Sequence, residues 1–85
     1  MKIEFNKQAE KDFNKLDNSI QKQIYKKLRY IESLENPRDD GKALKGNLFN
    51  FWRYRSGDYR IIAQILDDKL IILIIKIANR KDAYK

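Results

Sequence analysis

The chain predicts an α+β fold in the order β-α-α-β-β-β, a small antiparallel sheet packed on a helical hairpin, and three stretches carry that prediction. Ile20, Ile24, Leu28, Ile31 and Leu34 recur at helical spacing and form the apolar stripe of one long helix. Two runs rich in aromatic and β-branched residues flank Ser56-Gly57-Asp58, where glycine supplies the dihedrals of a tight reversal, so this segment reads as a β-hairpin. Leu70 to Ile75 is apolar throughout without alternation, the pattern of an interior strand buried on both faces.

In chain order, Lys2 to Phe5 alternates polar and apolar and reads as a short strand, with Ile3 and Phe5 on one face. Asn6 fits a helix cap, and Ala9, Phe13 and Leu16 follow on one helical face. Asp17-Asn18-Ser19 interrupts and offers a second cap; so short a break predicts two antiparallel helices. Asn36-Pro37 ends the second helix, because proline lacks the amide proton and pushes its predecessor out of helical geometry. Arg38 to Ala43 reads as a polar connector, and Leu44-Lys45-Gly46-Asn47 as a turn into the sheet. Strands are expected at about 48–55, 59–66 and 70–78, with Asp67-Asp68-Lys69 as a solvated turn and the first strand beside the last.

The hairpin register bears on function. It places Arg55 opposite Arg60 and Arg53 opposite Ile62, and like charges facing each other across a ladder are unfavourable unless water or an anion separates them. The same parity exposes Phe51, Arg53 and Arg60 and turns Trp52, Tyr54, Tyr59, Ile61, Ala63 and Ile65 toward the helices.

Eighty-five residues allow one domain, spanning 1–85. Nineteen Lys and Arg against twelve Asp and Glu give a net charge of +7, which attracts polyanions. Met1-Lys2-Ile3-Glu4-Phe5 is too polar for a secretory signal, and no apolar run approaches the ~20 residues that cross a bilayer. These features point to a soluble, cytoplasmic protein without a membrane partner. With no histidine and no cysteine, histidine-paired RNA cleavage, Cys/His nucleophile dyads and zinc sites are excluded. The glycines are scattered and form no phosphate loop, and Asp67-Asp68 lacks a third metal ligand nearby, so no metal or cofactor is expected. What remains is arginine, lysine and tyrosine. Guanidinium groups bind phosphate bidentately, and tyrosine stacks on bases.

Leu44-Lys45-Gly46, the run Trp52-Arg53-Tyr54-Arg55-Ser56-Gly57-Asp58-Tyr59-Arg60-Ile61 and the end Ile77-Ala78-Asn79-Arg80-Lys81-Asp82-Ala83-Tyr84-Lys85 resemble the RelE/ParE family of type II toxin–antitoxin toxins over essentially the whole chain. The resemblance implies a microbial ribonuclease-like fold and, for the RelE-like branch, a metal-independent, ribosome-dependent endoribonuclease that cuts mRNA in the ribosomal A site. It implies that Arg53 and Arg60 hold the scissile phosphate, that Arg80 lies near the leaving oxygen and that Tyr84 stacks on or orients the mRNA, with Lys45, Arg55 and Lys81 on the RNA path. Two departures stand out: Phe51 where some relatives carry lysine, and Asn79 where many have histidine. They leave the general base unassigned, because arginine stays protonated; Lys45 or a ribosomal group could supply it. The ParE-like alternative is an inhibitor of DNA gyrase, and Phe51 leaves open a third reading, an inactive nucleic-acid-binding remnant.

Each residue also has a plainer reading. Arg55 is expected in a salt bridge near the turn, Arg53 and Arg60 could serve solubility, and Tyr84 could pack the chain end. Trp52 and Tyr59 read as core, and Lys22, Lys26, Lys27 and Arg29 as a solvated helix face that could also touch rRNA. The resemblance further implies a cognate RelB-like antitoxin, as a heterotetramer of two toxins on an antitoxin dimer, beside the 70S ribosome and mRNA as targets. Charge complementarity makes its binding segment acidic and amphipathic, laid across the sheet and the outer edge of the helical hairpin.

Overall fold

The computed structural model describes residues 1–44 and 50–81. Its elements are β1 (Lys2–Phe5), α1 (Lys7–Asn14), α2 (Asn18–Ser33), β2 (Lys42–Ala43), β3 (Phe51–Ser56), β4 (Tyr59–Leu66) and β5 (Ile71–Asn79), with single 3₁₀ turns at Pro37–Asp39 and Asp67–Lys69. The strands form one sheet in the order β1-β5-β4-β3-β2.

Local chemistry sets the ends of these elements. Asn6 is extended and its Oδ1 accepts the Ala9 N–H at 2.8 Å, starting α1. Phe13 on that helix meets Phe5 edge-on, ring centroids 5.6 Å apart. Asp17 starts α2 without a side-chain cap bond. Ile24, Leu28 and Ile31 of the apolar stripe are buried, while Ile20 and Leu34 at its ends are half-buried. Asn36 then accepts from the Arg38 N–H at 3.0 Å and Pro37 opens a 3₁₀ turn, where its missing donor costs nothing.

Both helices lie on one face of the sheet, burying Ile24, Leu28, Ile31 and Ala9 against Tyr54, Ile61, Ala63, Ile72, Ile74 and Ile77. Two carboxylates tie the layers together: Asp12 accepts the Ile77 N–H and Glu32 accepts the Ile3 N–H, each at 3.0 Å. The second contact satisfies a donor on the outer edge of β1, where an open row of amides would invite another strand. Tyr54 donates its hydroxyl to the Pro37 carbonyl at 2.6 Å. Burial pushes that phenol far above its usual range, so it stays neutral and serves as a core hydrogen-bond donor.

The expected hairpin register holds, with Arg55 opposite Arg60 and Arg53 opposite Ile62. The first strand does lie beside the last. Their pairing is parallel, Ile3 with Ile72 and Phe5 with Ile74, so the sheet is mixed rather than wholly antiparallel. The connector expected over 38–43 contains β2, which adds a fifth strand. The turn and strand start expected at Lys45, Gly46, Asn47, Leu48 and Phe49 lie outside the described residues.

Two expectations need correction, and one irregularity had not been predicted. β5 is interior, yet only Ile72, Ile74 and Ile77 are buried; Ile71, Leu73 and Ile75 are half-exposed, because both helices occupy the same side. Apolar content reported the strand's position in the sheet but not its open second face. The β4–β5 register shifts at Ile62/Ala63, which pair with Lys76 and Ile74 and leave Ile75 as the extra residue of a bulge. The turn at Asp67 is more than solvated: Arg38 donates both terminal nitrogens to its carboxylate, each at 2.9 Å, and one also reaches Asn50 Oδ1 at 3.3 Å.

This clamp joins three connections at one end of the sheet. The Arg38 hydrogen bonds hold the Asp67 carboxyl below its ordinary value, so the stabilisation is complete at neutral pH and is lost as pH falls through that lowered value. Arg38→Ala is therefore expected to melt below the parent at pH 7, and the gap to close as pH falls below the ordinary aspartate value of about 3.9 in thermal scans.

Candidate nucleic-acid interface

Strand pairing builds the face opposite the helices row by row. Lys42, Arg53, Ile62 and Lys76 align across β2, β3, β4 and β5, and Arg55, Arg60 and Ala78 form the next row. Side chains in register share a face, so four strands bring these cations together although they lie far apart in the chain. Beyond Ala78, the Arg80 N–H donates to the Asp58 carbonyl at 2.6 Å and fastens the end of β5 to the β3–β4 turn. Asn79 accepts the Lys81 N–H at 3.0 Å through Oδ1, a side-chain turn that redirects the chain there.

The predicted residues occupy distinct environments. Arg53 is half-buried within β3, whereas Arg55, Arg80 and Lys81 are exposed. Arg60, expected on the exposed face, is only 7% accessible. It shares a small hollow with Arg55, Gly57, Asp58, Tyr59 and Arg80, and its cross-strand neighbour on β5 is the small Ala78. Arg55 makes no ion pair among the described residues, so the expected salt bridge near the turn is absent. Lys45 and Tyr84 lie outside the described residues. Phe51 is half-buried opposite Gln64 and shares the face of Arg53, two residues on.

The chemistry of this face is cationic and short of proton acceptors. Arg53, Arg55, Arg60 and Arg80 offer forked donors that match phosphate oxygens. Asp58 is the one carboxylate lining the hollow among the described residues, and Tyr54 is turned into the core. No group of three or more acidic side chains among the described residues converges to hold a metal ion.

Two contributions were not anticipated. Lys42 is the cross-strand neighbour of Arg53, and Lys27 leaves the expected solvated helix face to pair with Asp40. The Asp40 carbonyl also accepts the Trp52 indole N–H at 2.6 Å, holding the connector against β3. Gly41 makes that approach possible. It sits at φ +77°, and a Cβ there would collide with the Arg53 carbonyl oxygen and lie 2.7 Å from Trp52 Nε1. Gly41→Ala is expected to cost about 3 kcal/mol, from left-handed strain plus the backbone clash. A thermal melt should show a fall of roughly 10 °C or more.

An arginine-rich sheet face backed by two helices makes this a small, basic α+β protein with a surface suited to a polyanion. A sequence profile for the ParE toxin of type II toxin–antitoxin system, parDE, matches residues 3–84, and the chain belongs to this RelE/ParE family. It is 31% identical over 81 residues to the mRNA interferase toxin RelE of Escherichia coli K12, covering 93% of this chain and 82% of that protein. Among solved structures, the intact E. coli RelBE toxin–antitoxin complex superposes with a TM-score of 0.76 at 29% identity, covering 92% of this chain and 94% of the other. A toxin–antitoxin complex from Mycobacterium tuberculosis has a TM-score of 0.79 over 93% of this chain and 96% of the other; at 24% identity it speaks to the fold alone. No helix among the described residues is long and apolar enough to cross a membrane.

Proposed function

We propose that this toxin is a ribosome-dependent mRNA endoribonuclease that inhibits translation in the cytoplasm by cutting mRNA in the A site of the 70S ribosome. The observation that carries this reading is the placement of Arg53, Arg55, Arg60 and Arg80 around one end of the open sheet face. In the reaction, the ribose 2'-oxygen attacks the adjacent phosphorus, the bond to the 5'-oxygen breaks, and a 2',3'-cyclic phosphate and a 5'-hydroxyl result. Arg53 and Arg60 grip the non-bridging oxygens, and Arg80 stabilises charge on the leaving 5'-oxygen. Tyr84 orients the mRNA, with Lys45, Arg55 and Lys81 along its path. The residues assigned need no metal; the proton of the 2'-hydroxyl passes to Lys45 or to a ribosomal group, because guanidinium cannot take it, and the leaving 5'-oxygen takes up a proton from solvent to become the 5'-hydroxyl.

The ParE description of the matching profile, together with Phe51, favours gyrase inhibition as the second reading. Primer extension on cellular mRNA after induction, beside a gyrase supercoiling assay, separates the two. Cuts within translated codons and unaffected supercoiling are expected; the reverse result overturns the ribonuclease reading.

The partner is a RelB-like antitoxin, supported by structural relatives solved as toxin–antitoxin complexes. Its acidic, amphipathic segment lies across the sheet, and two toxins bind one antitoxin dimer. Co-expression should yield that complex and relieve growth arrest.

A further inference from the structure

We propose that the cleft along the outer flank of β3 is a second phosphate subsite, in which Lys42 and Lys27 extend the arginine face so that single-stranded RNA is held over more than one nucleotide. The proposal rests on the RNA-cleaving reading above and assigns a path to that substrate. β2 pairs with Trp52 and Arg53 of the flank and Leu44 adds an N–H bond to the Phe51 carbonyl, so among the described residues the flank of Arg55 is left open. Beyond it, the turn at Gly41 and the side of α2 close the space into a cleft of about 280 Å³, lined among the described residues by Lys27, Asp40, Gly41, Lys42, Arg53 and Arg55.

The charge balance of the cleft names its ligand. Its one carboxylate among the described residues is engaged twice: Asp40 pairs with the Lys27 ammonium, and its Oδ1 accepts the Gly41 N–H at 2.9 Å. Lys42, Arg53 and Arg55 have no carboxylate partner among the described residues, so the cleft presents cations facing solvent. Among the described residues no aromatic ring lines it, since Trp52 is tied to the Asp40 carbonyl, so the described lining offers charge rather than a stacking platform. The fitting ligand is therefore the sugar–phosphate backbone, held without regard to sequence. Arg53 and Arg55 lie two residues apart on one strand, about 6.6 Å, close to one step of an extended nucleic-acid backbone. Arg55 is common to this cleft and to the hollow holding Arg60 and Arg80, so the two anion sites form one track. Asp40 competes with RNA for Lys27.

Salt titration of binding to a short single-stranded RNA tests this, with every variant made in an Arg80→Ala background to limit toxicity and checked by thermal melting. Lys42→Gln should lower the slope of log K against log salt by about 0.7, and Lys27→Gln/Lys42→Gln by more than that but less than about 1.4, because Asp40 already holds part of the Lys27 charge. Asp40→Asn should instead tighten binding about threefold by releasing Lys27, a gain that damage to the fold would not mimic. Unchanged slopes with no gain in Asp40→Asn overturn the subsite. A double variant that keeps its RNA binding but loses co-expressed antitoxin also overturns it, giving the cleft to the protein partner. Primer extension with the parent chain stands apart: if no mRNA is cut, the ribonuclease reading fails, while the salt slopes still decide whether the cleft holds RNA.

Discussion

Arg80→Ala combined with Arg60→Lys is expected to lower mRNA cleavage by roughly 10³-fold or more and to abolish growth arrest, since each change removes a preorganised donor at the phosphate. The two substitutions differ because the environments differ. Arg80 is exposed and its tie to Asp58 runs through the backbone N–H, so alanine leaves the end of β5 in place. Arg60 is buried, and truncation would open the hollow beneath the β3–β4 turn; lysine keeps the charge and most of the stem while losing the planar fork. A thermal transition close to the parent's, with cleavage lost in a ribosome-programmed assay, is the expected pair of results. Toxicity equal to the parent's at equal abundance would show that the site lies elsewhere.

Phe51→Lys should raise the cleavage rate on the order of 10²-fold, the scale of one charge partner at a phosphoryl-transfer site. Phe51 opens β3 opposite Gln64 and shares the face of Arg53, so a lysine there can run its aliphatic stem along the sheet and carry its ammonium toward the phosphate. The comparison belongs in single-turnover conditions on programmed ribosomes, where chemistry rather than product release is measured. An unchanged or lower rate would place the missing group on another residue or on the ribosome.

The hairpin was readable from sequence because two β-branched, aromatic runs of opposite parity surround one glycine, and side-chain alternation then dictates which residues oppose each other. The helices were readable from their apolar spacing. Parity gave the face of Arg60 but not what lies over it, so its burial depended on Arg55, Arg80 and the turn closing around it. β2 is too short to carry any periodicity, and Lys42 went unnoticed with it. Lys27 and Asp40 meet only because the 3₁₀ turn at Pro37–Asp39 folds the connector back beside α2, a tertiary fact that helical spacing cannot report. The bulge at Ile75 was hidden for another reason: in an unbroken run of isoleucine and leucine, an extra residue leaves no mark on the pattern.

The position of β5 between β1 and β4 governs when the molecule can assemble. Among the described residues β1 has no strand partner but β5, and α1 rests largely on it, so the first pairing of the sheet edge joins Lys2 to Ile71 across most of the chain. Contacts that distant form slowly, since the intervening chain must be ordered before they return any energy. During synthesis the hairpin and α2 can form early, while β1 and α1 wait undocked until the final strand has emerged. Arg80 follows that strand directly, so the arginine face is completed in the same late step that closes the sheet. A chain interrupted before Ile71 lacks the strand on which β1 and α1 dock, so it is expected to leave the apolar faces of its helices open to proteases, which limited proteolysis of such a fragment would check.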